Sequence, residues 1–262
     1  MLASILNLLL RFPILPDAVS VVLLMVACGV LLHRQGPSQR LNRFLLALIL
    51  TVPAHVVALS AAGFASHLRP YKLDLYVYRI DGLLGFQPTF LLGRLVMGNH
   101  PIMILLVLAY QLLPIAILAV FGAYLWLRPD REAMSMVPVF ILNLALGVPL
   151  YLLFPVCGPT YAFPGFPALP GPFAAHPILL DAPPNGVPSV HFSTALLILW
   201  YARKLPLGRW SGAIYLVLIA AATMASGEHY LFDLVVAVPY AIAILALGNF
   251  VAARWHPKLI QS

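Results

Sequence analysis

Long apolar runs, broken by clusters of Arg, Lys, Pro and Gly, set the pattern of the chain. A bilayer-crossing helix needs about 20 mainly apolar residues, with about 17 as a working minimum. Seven stretches come up to or near this length. They cover about 15–33, 41–65, 101–127, 134–156, a shorter run from Pro188 to Arg203-Lys204, 210–226 and 229–252. Their ends are marked: His33-Arg34, Arg128-Pro129-Asp130, the breakers Pro155, Gly158 and Pro159, and Arg254. Backbone amides in lipid must be satisfied within the segment, so the runs predict helices. No alternation of the barrel type and no internal repeat is present. The expected fold is all-α, a polytopic transmembrane helical bundle of seven spans.

Two long connections remain. Residues 66–100 place Arg69, Lys72, Asp74, Arg79, Asp81 and Arg94 among aromatics and leucines, a composition suited to a helix lying in the interface. Residues 157–187 are rich in Pro and Gly and predict an ordered, non-helical cap. No linker is long or polar enough to split the chain. The expected organisation is an N-terminal segment with an extra span (1–40), one membrane domain (41–252) and a tail (253–262).

Composition strengthens the membrane reading. Mean hydropathy is +0.97, with 62% apolar and 9% charged residues. A soluble domain carries about 25% charged residues, so a soluble class is excluded. Net charge is +7 and the pI about 9.6. In a soluble protein that balance would point to nucleic acid. Here the basic residues sit in short loops between apolar runs, so anionic lipid headgroups are the expected partners and nucleic acid is not.

The loop charges also set an orientation. One side carries Arg34, Arg40, Arg43, Arg128, Arg131, Arg203, Lys204, Arg209, Arg254 and Lys258; the other carries Arg11, Arg69, Lys72, Arg79 and Arg94. Ten against five places the short loops and the C-terminus in the cytoplasm, and both long connections outside it. Cys28 and Cys157 form neither a metal spacing nor a disulfide framework. The first span is expected to stay uncleaved.

Ionisable groups near lipid are costly and mark function or the interface. His33, His55, His67, His100, His176 and His256 read as interfacial. Three other groups converge. Pro188-Ser189-Val190-His191 opens the fifth run, and His229-Tyr230-Leu231-Phe232-Asp233 opens the seventh. The fifth and sixth runs go down and back, so His191 and His229 return to one surface. His229 and Asp233 are four apart, on one helical face. A carboxylate accepting from one imidazole nitrogen makes the other a better nucleophile. Two histidines suit phosphoryl transfer, one attacking phosphorus and the other moving the proton of the departing and incoming oxygens. The helix start at Pro188-Ser189 adds backbone amides for a phosphate oxygen.

These motifs resemble the second and third signature motifs of the type 2 phosphatidic acid phosphatase superfamily. The PSxH and HYxxD forms, with the preceding Pro155…Gly158-Pro159…Pro164 loop, are most similar to its inositol phosphorylceramide synthase (inositolphosphotransferase) branch, near the sphingomyelin synthases. The segment from Asp81 to Pro88 is also similar to part of that branch. The resemblance covers roughly residues 41–252 and implies a six-helix core of the phosphatase type. It implies that His229 is the nucleophile, forming a phosphohistidine, that Asp233 orients it, and that His191 protonates the leaving group and activates the acceptor. Ser189 would help hold the phosphoryl group, and no metal or other cofactor would be needed.

The sequence departs from the superfamily pattern in its basic groups. Val190 stands where Gly is usual, and Thr223 stands where the third motif usually has Arg. Lys72 and Arg79 have the spacing of the first motif, KxxxxxxRP, but Ile80 replaces its Pro and the pair lies unusually far upstream. Lys72, Arg79 and Arg94 are the candidates for phosphate charge. The expected function is transfer of a phosphoryl-headgroup from a phospholipid to an alcohol, with lipid phosphate hydrolysis by water as the alternative. A transporter or flippase calls for paired repeats and midplane polar groups; Asn143, His55 and Asn249 lie inside runs, without such repeats.

Overall fold

A computed structural model describes residue 61 and residues 63–259 apart from Pro172, with the side chains of Asp130 and residues 255–259 excepted. The runs at 15–33 and, for the most part, 41–65 lie outside the described residues, as do His33, His55, Cys28 and the side chain of His256.

The described elements are, in order, β1 (Tyr71–Lys72), α1 (Asp74–Asp81), a 3-10 turn (Gly82–Leu84), α2 (Pro88–Met97), α3 (His100–Gln111), α4 (Leu113–Leu127), α5 (Asp130–Met134), α6 (Met136–Leu153), α7 (Pro159–Ala162), β2 (Ile178–Leu179), α8 (Val190–Ala202), α9 (Gly208–Ala225) and α10 (Leu231–Leu259). Among the described residues three helices are long and apolar enough to cross a membrane: Arg131–Leu153, Gly208–Ala225 and Leu231–Arg254. The pair α2–α3, bent by 119° at Gly98-Asn99, makes a fourth if it counts as one span. The chain is a multi-pass, mostly helical membrane protein.

Two sequence expectations change. The run at 101–127 is not one helix, because Leu112 closes α3 and α4 restarts at Leu113. Pro114 explains the break, since it lacks an N–H and its ring displaces the carbonyl four residues earlier. The connection 66–100 is likewise divided into α1, the 3-10 turn and α2, with Gly85 at φ 83° ending the turn. The cap at 157–187 is largely irregular, with α7 and β2 in it; β2 pairs antiparallel with β1.

α8 packs on α9, α10, α4 and α6; α10 packs on α6; α9 packs on α3 and α2. Phe121, Tyr124, Met136, Phe140, Leu197, Tyr201, Ile219 and Ile244 fill the bundle. Small residues allow close approach, as expected between membrane helices. A Cβ on Gly248 would stand 2.4 Å from Val139, and one on Gly147 would stand 2.7 Å from Val190 at the start of α8. Asn143 is fully buried, and its polar atoms are used between helices: Ser193 donates to its Oδ1 at 2.7 Å and its Nδ2 donates to Thr194 at 2.8 Å. The outward face is apolar instead of polar. Ile214, Val217, Val235 and Ile242 are 57–67% exposed along α9 and α10, where lipid is their solvent.

A second cluster lies at one end of the bundle. Leu75, Val77, Phe90, Val156, Phe163, Val187 and Tyr230 bring α1, α2, the cap and the starts of α8 and α10 together. The opposite end gathers the short loops: Arg128 donates to the Lys204 carbonyl at 2.9 Å, and Lys204 lies 3.8 Å from Glu132.

Candidate active site

The start of α10 is built from its own side chain. Gly227, at φ 75°, closes α9 and turns the chain. His229 donates its backbone N–H to the Thr223 carbonyl at 3.1 Å. Tyr230 precedes the first helical residue, and Asp233 stands at the third position of the helix. One carboxylate oxygen of Asp233, Oδ2, accepts the Tyr230 backbone N–H at 2.9 Å, the reach-back of a capping box. The same oxygen lies 3.2 Å from Nδ1 of His229. A carboxylate accepts there, so Nδ1 carries the proton and Nε2 is left with its lone pair. Asp233 is fully buried and His229 is 1% exposed.

The start of α8 is capped by Ser189, whose Oγ accepts the Phe192 N–H at 3.3 Å. The Ser189 backbone N–H donates to the Asp233 carbonyl at 3.3 Å and ties the two helix starts together. His191 therefore stands in the first turn of α8, with its ring centroid 6.2 Å from that of His229. Tyr110 of α3 stacks on His191 at 4.3 Å, and its hydroxyl lies 3.2 Å from His191 Nδ1. The structure thus brings together His191, His229, Asp233 and Ser189.

Several neighbours of the pair were not singled out by sequence. Asp81 accepts the N–H groups of Leu231 and Phe232 at 2.9 and 3.0 Å. Thr89 donates to the His229 carbonyl at 3.2 Å. Asp74 accepts the Gly158 N–H at 2.8 Å, the Cys157 N–H at 3.1 Å and the Tyr230 hydroxyl at 3.1 Å. Burial pushes the carboxyls of Asp74 and Asp81 up to about 6, against the lowering effect of the amides they hold. Glu228 is half-buried, takes the Tyr161 hydroxyl at 3.4 Å and is also raised by burial. A sequence signal existed for Asp81, which opens the segment Asp81–Pro88; for Thr89 and Tyr110 there was none.

The candidate phosphate-binding cations divide. Lys72 is fully buried, donates to the Arg69 carbonyl, and is lowered by burial. Arg79 and Arg94 are exposed on α1 and α2, at the same end of the molecule as the histidines. Thr223, in the place of the usual Arg, is buried and turns its hydroxyl to the Ile219 and Ala220 carbonyls of its own helix. Among the described residues no group of three or more His, Cys, Asp or Glu is arranged to hold a metal ion.

No curated protein and no solved structure matches the chain. A family profile described as the PAP2 superfamily matches residues 75–247, a stretch that runs from α1 into α10 and contains both histidines, Asp233, Asp81 and Thr89. With most of its length so matched, the chain belongs to the PAP2 superfamily, a membership that supports a phosphatase-type membrane enzyme.

Proposed function

We propose that the protein is a lipid phosphotransferase that moves a phosphoryl-headgroup from a phospholipid to an alcohol acceptor through a phosphohistidine on His229. The observation that carries the reading is the buried His229–Asp233 pair, 3.2 Å apart, facing a second histidine ring at 6.2 Å. Nε2 of His229 attacks phosphorus, and the bond from phosphorus to the departing oxygen breaks. His191, protonated, gives its proton to that oxygen. His191 then takes the proton of the acceptor hydroxyl, whose oxygen attacks phosphorus as the P–N bond breaks and His229 is regenerated. Asp233 holds the Nδ1 proton throughout and stabilises the charge that forms on the ring. On this reading Ser189 and the first-turn amides at Val190 and His191 meet phosphate oxygens, with Arg79, Arg94 and Lys72 as the basic groups at that end. The similarity of the two motifs to the inositol phosphorylceramide synthase branch favours the alcohol acceptor. Membership of a phosphatase superfamily supports the second reading, in which water is the acceptor and the same two half-reactions release free phosphate.

The unit doing this work is the membrane domain at 41–252; α10 continues through 253–259 of the expected tail, and the expected N-terminal segment 1–40 lies outside the described residues. The site opens on the extracytoplasmic side and the C-terminus is cytoplasmic. Support comes from the described basic residues: Arg128, Arg131, Arg203, Lys204, Arg209 and Arg254 lie at the end away from the histidines, against Arg69, Lys72, Arg79 and Arg94 at the histidine end.

The test is a donor and acceptor screen on purified protein in nanodiscs, with His229→Ala as control. Phosphatidic acid, diacylglycerol pyrophosphate, phosphatidylinositol and phosphatidylcholine are supplied with and without ceramide, inositol or diacylglycerol. A headgroup-bearing product made only with an alcohol present, and lost in the control, is expected. Free phosphate alone, lost in the control, establishes the hydrolase. Product formation that persists in His229→Ala overturns the phosphohistidine.

A further inference from the structure

The reaction just described gives no task to Asp81 or Thr89, yet both reach from another part of the chain onto the backbone that carries His229. The first amides of a helix have no partner within it. In α10 they are taken by carboxylates. Asp233 accepts from Tyr230, and Asp81, 4% exposed, accepts from Leu231 on Oδ2 and from Phe232 on Oδ1. Thr89, 1% exposed, adds a hydrogen bond to the His229 carbonyl. The peptide units from His229 to Phe232 are thus held from outside their own helix, by α1 and α2.

We propose that Asp81 is a positioning residue: by gripping the first two amides of α10 it fixes where His229 and Asp233 stand relative to His191. This rests on the reading of His229 as nucleophile. Two parallel N–H groups demand two acceptor oxygens, which a carboxylate provides. An amide provides one acceptor and points its own N–H at the second donor, and a glutamate is one methylene too long for the same seat. The body of α10 does not depend on this grip, because it packs against α6 and α8 along an apolar span. What depends on it is the placement of the first turn. Displacement of a reacting group by about 1 Å costs on the order of 100-fold in rate.

The experiment compares wild type, Asp81→Asn, Thr89→Val and His229→Ala in nanodiscs. It measures turnover, KM for the donor, the unfolding midpoint and the 15N signals of the histidine rings, with the His229 signals assigned by their loss in His229→Ala. The expected result for Asp81→Asn is a fall in kcat of about 30- to 100-fold, KM within about twofold, an intact fold and shifted His229 ring signals. For Thr89→Val, which keeps shape and loses one hydrogen bond, a fall of about fivefold with an intact fold is expected. Turnover within threefold of wild type in Asp81→Asn overturns the proposal, as does unchanged turnover in Thr89→Val should Asp81→Asn fail to fold. The ring signals need no substrate, so they separate two failures. Activity that survives His229→Ala removes the nucleophile, whereas His229 signals unmoved by Asp81→Asn remove the grip.

Discussion

Asp233 places two demands on one oxygen, capping its own helix through Tyr230 and accepting from His229. Asp233→Asn keeps the shape and the cap if its carbonyl oxygen takes that seat, but the amide no longer compensates charge on the imidazole. Turnover is expected to fall by about 100-fold or more, while the gel-filtration profile and expression stay those of wild type; wild-type turnover would remove Asp233 from the reaction. Asp74 and Asp81 make a prediction of another kind. Their carboxyls stand near pH 6 when folded and at 3.8 when free. The folded protein therefore holds more protons between those values than the unfolded chain. Their contribution to stability is complete below about pH 4 and is lost as pH rises through 6. The unfolding midpoint in nanodiscs should drop between pH 5 and 7.5, and drop less in Asp81→Asn. Equal slopes would contradict the assignment. Two carboxylates that weaken the fold at neutral pH are understandable where their acceptor oxygens position a reacting helix.

At the scale of elements, the turn 227–230 is pressed between α1–α2 and the cap. Gly158 is the point of closest approach, at φ 113°, with an added Cβ 2.3 Å from the Glu228 carbonyl oxygen. Gly158→Ala should therefore lift the cap from the turn and cut turnover by at least tenfold while the bundle keeps its helical circular dichroism; full turnover would show that the cap can shift at no cost. Which elements could be read in the sequence follows from how local their causes are. The runs at 134–156, 210–226 and 229–252 reappear as α6, α9 and α10 because hydropathy alone specifies them. The run at 101–127 divides although Leu112-Leu113-Pro114 is as apolar as its flanks, because Pro114 breaks the helix without interrupting the hydropathy. His191, His229 and Asp233 could be placed together from helix period and the return of two antiparallel helices. Asp81, Thr89 and Asp74 could not, since they meet their partners 150, 140 and 84 residues away through contacts that no period records.

Across the whole molecule the two ends differ in kind. One gathers two histidines and the buried carboxylates of Asp74, Asp81 and Asp233 under an irregular cap; the other is a set of short basic loops, with Arg203 lying 3.4 Å over the Trp200 ring. The orientation predicts that a cysteine replacing the exposed Ala174 in the cap reacts with a membrane-impermeant maleimide on intact cells, and that one replacing the exposed Ser211 reacts after permeabilisation. The reverse pattern would invert the protein. Cys157, being buried, should add little background.

The separation between Asp81 and the amides it holds carries a consequence for biosynthesis. Leu231 and Phe232 leave the ribosome 150 and 151 residues after their acceptor, and Asp74, Thr89 and Gly158 likewise wait for the turn at 227–230 that leads into α10. A nascent chain that has inserted everything up to α9 holds His191 and Tyr110 but lacks the His229–Asp233 pair and the amides that Asp81 grips, so the site is complete only once α10 has joined the bundle.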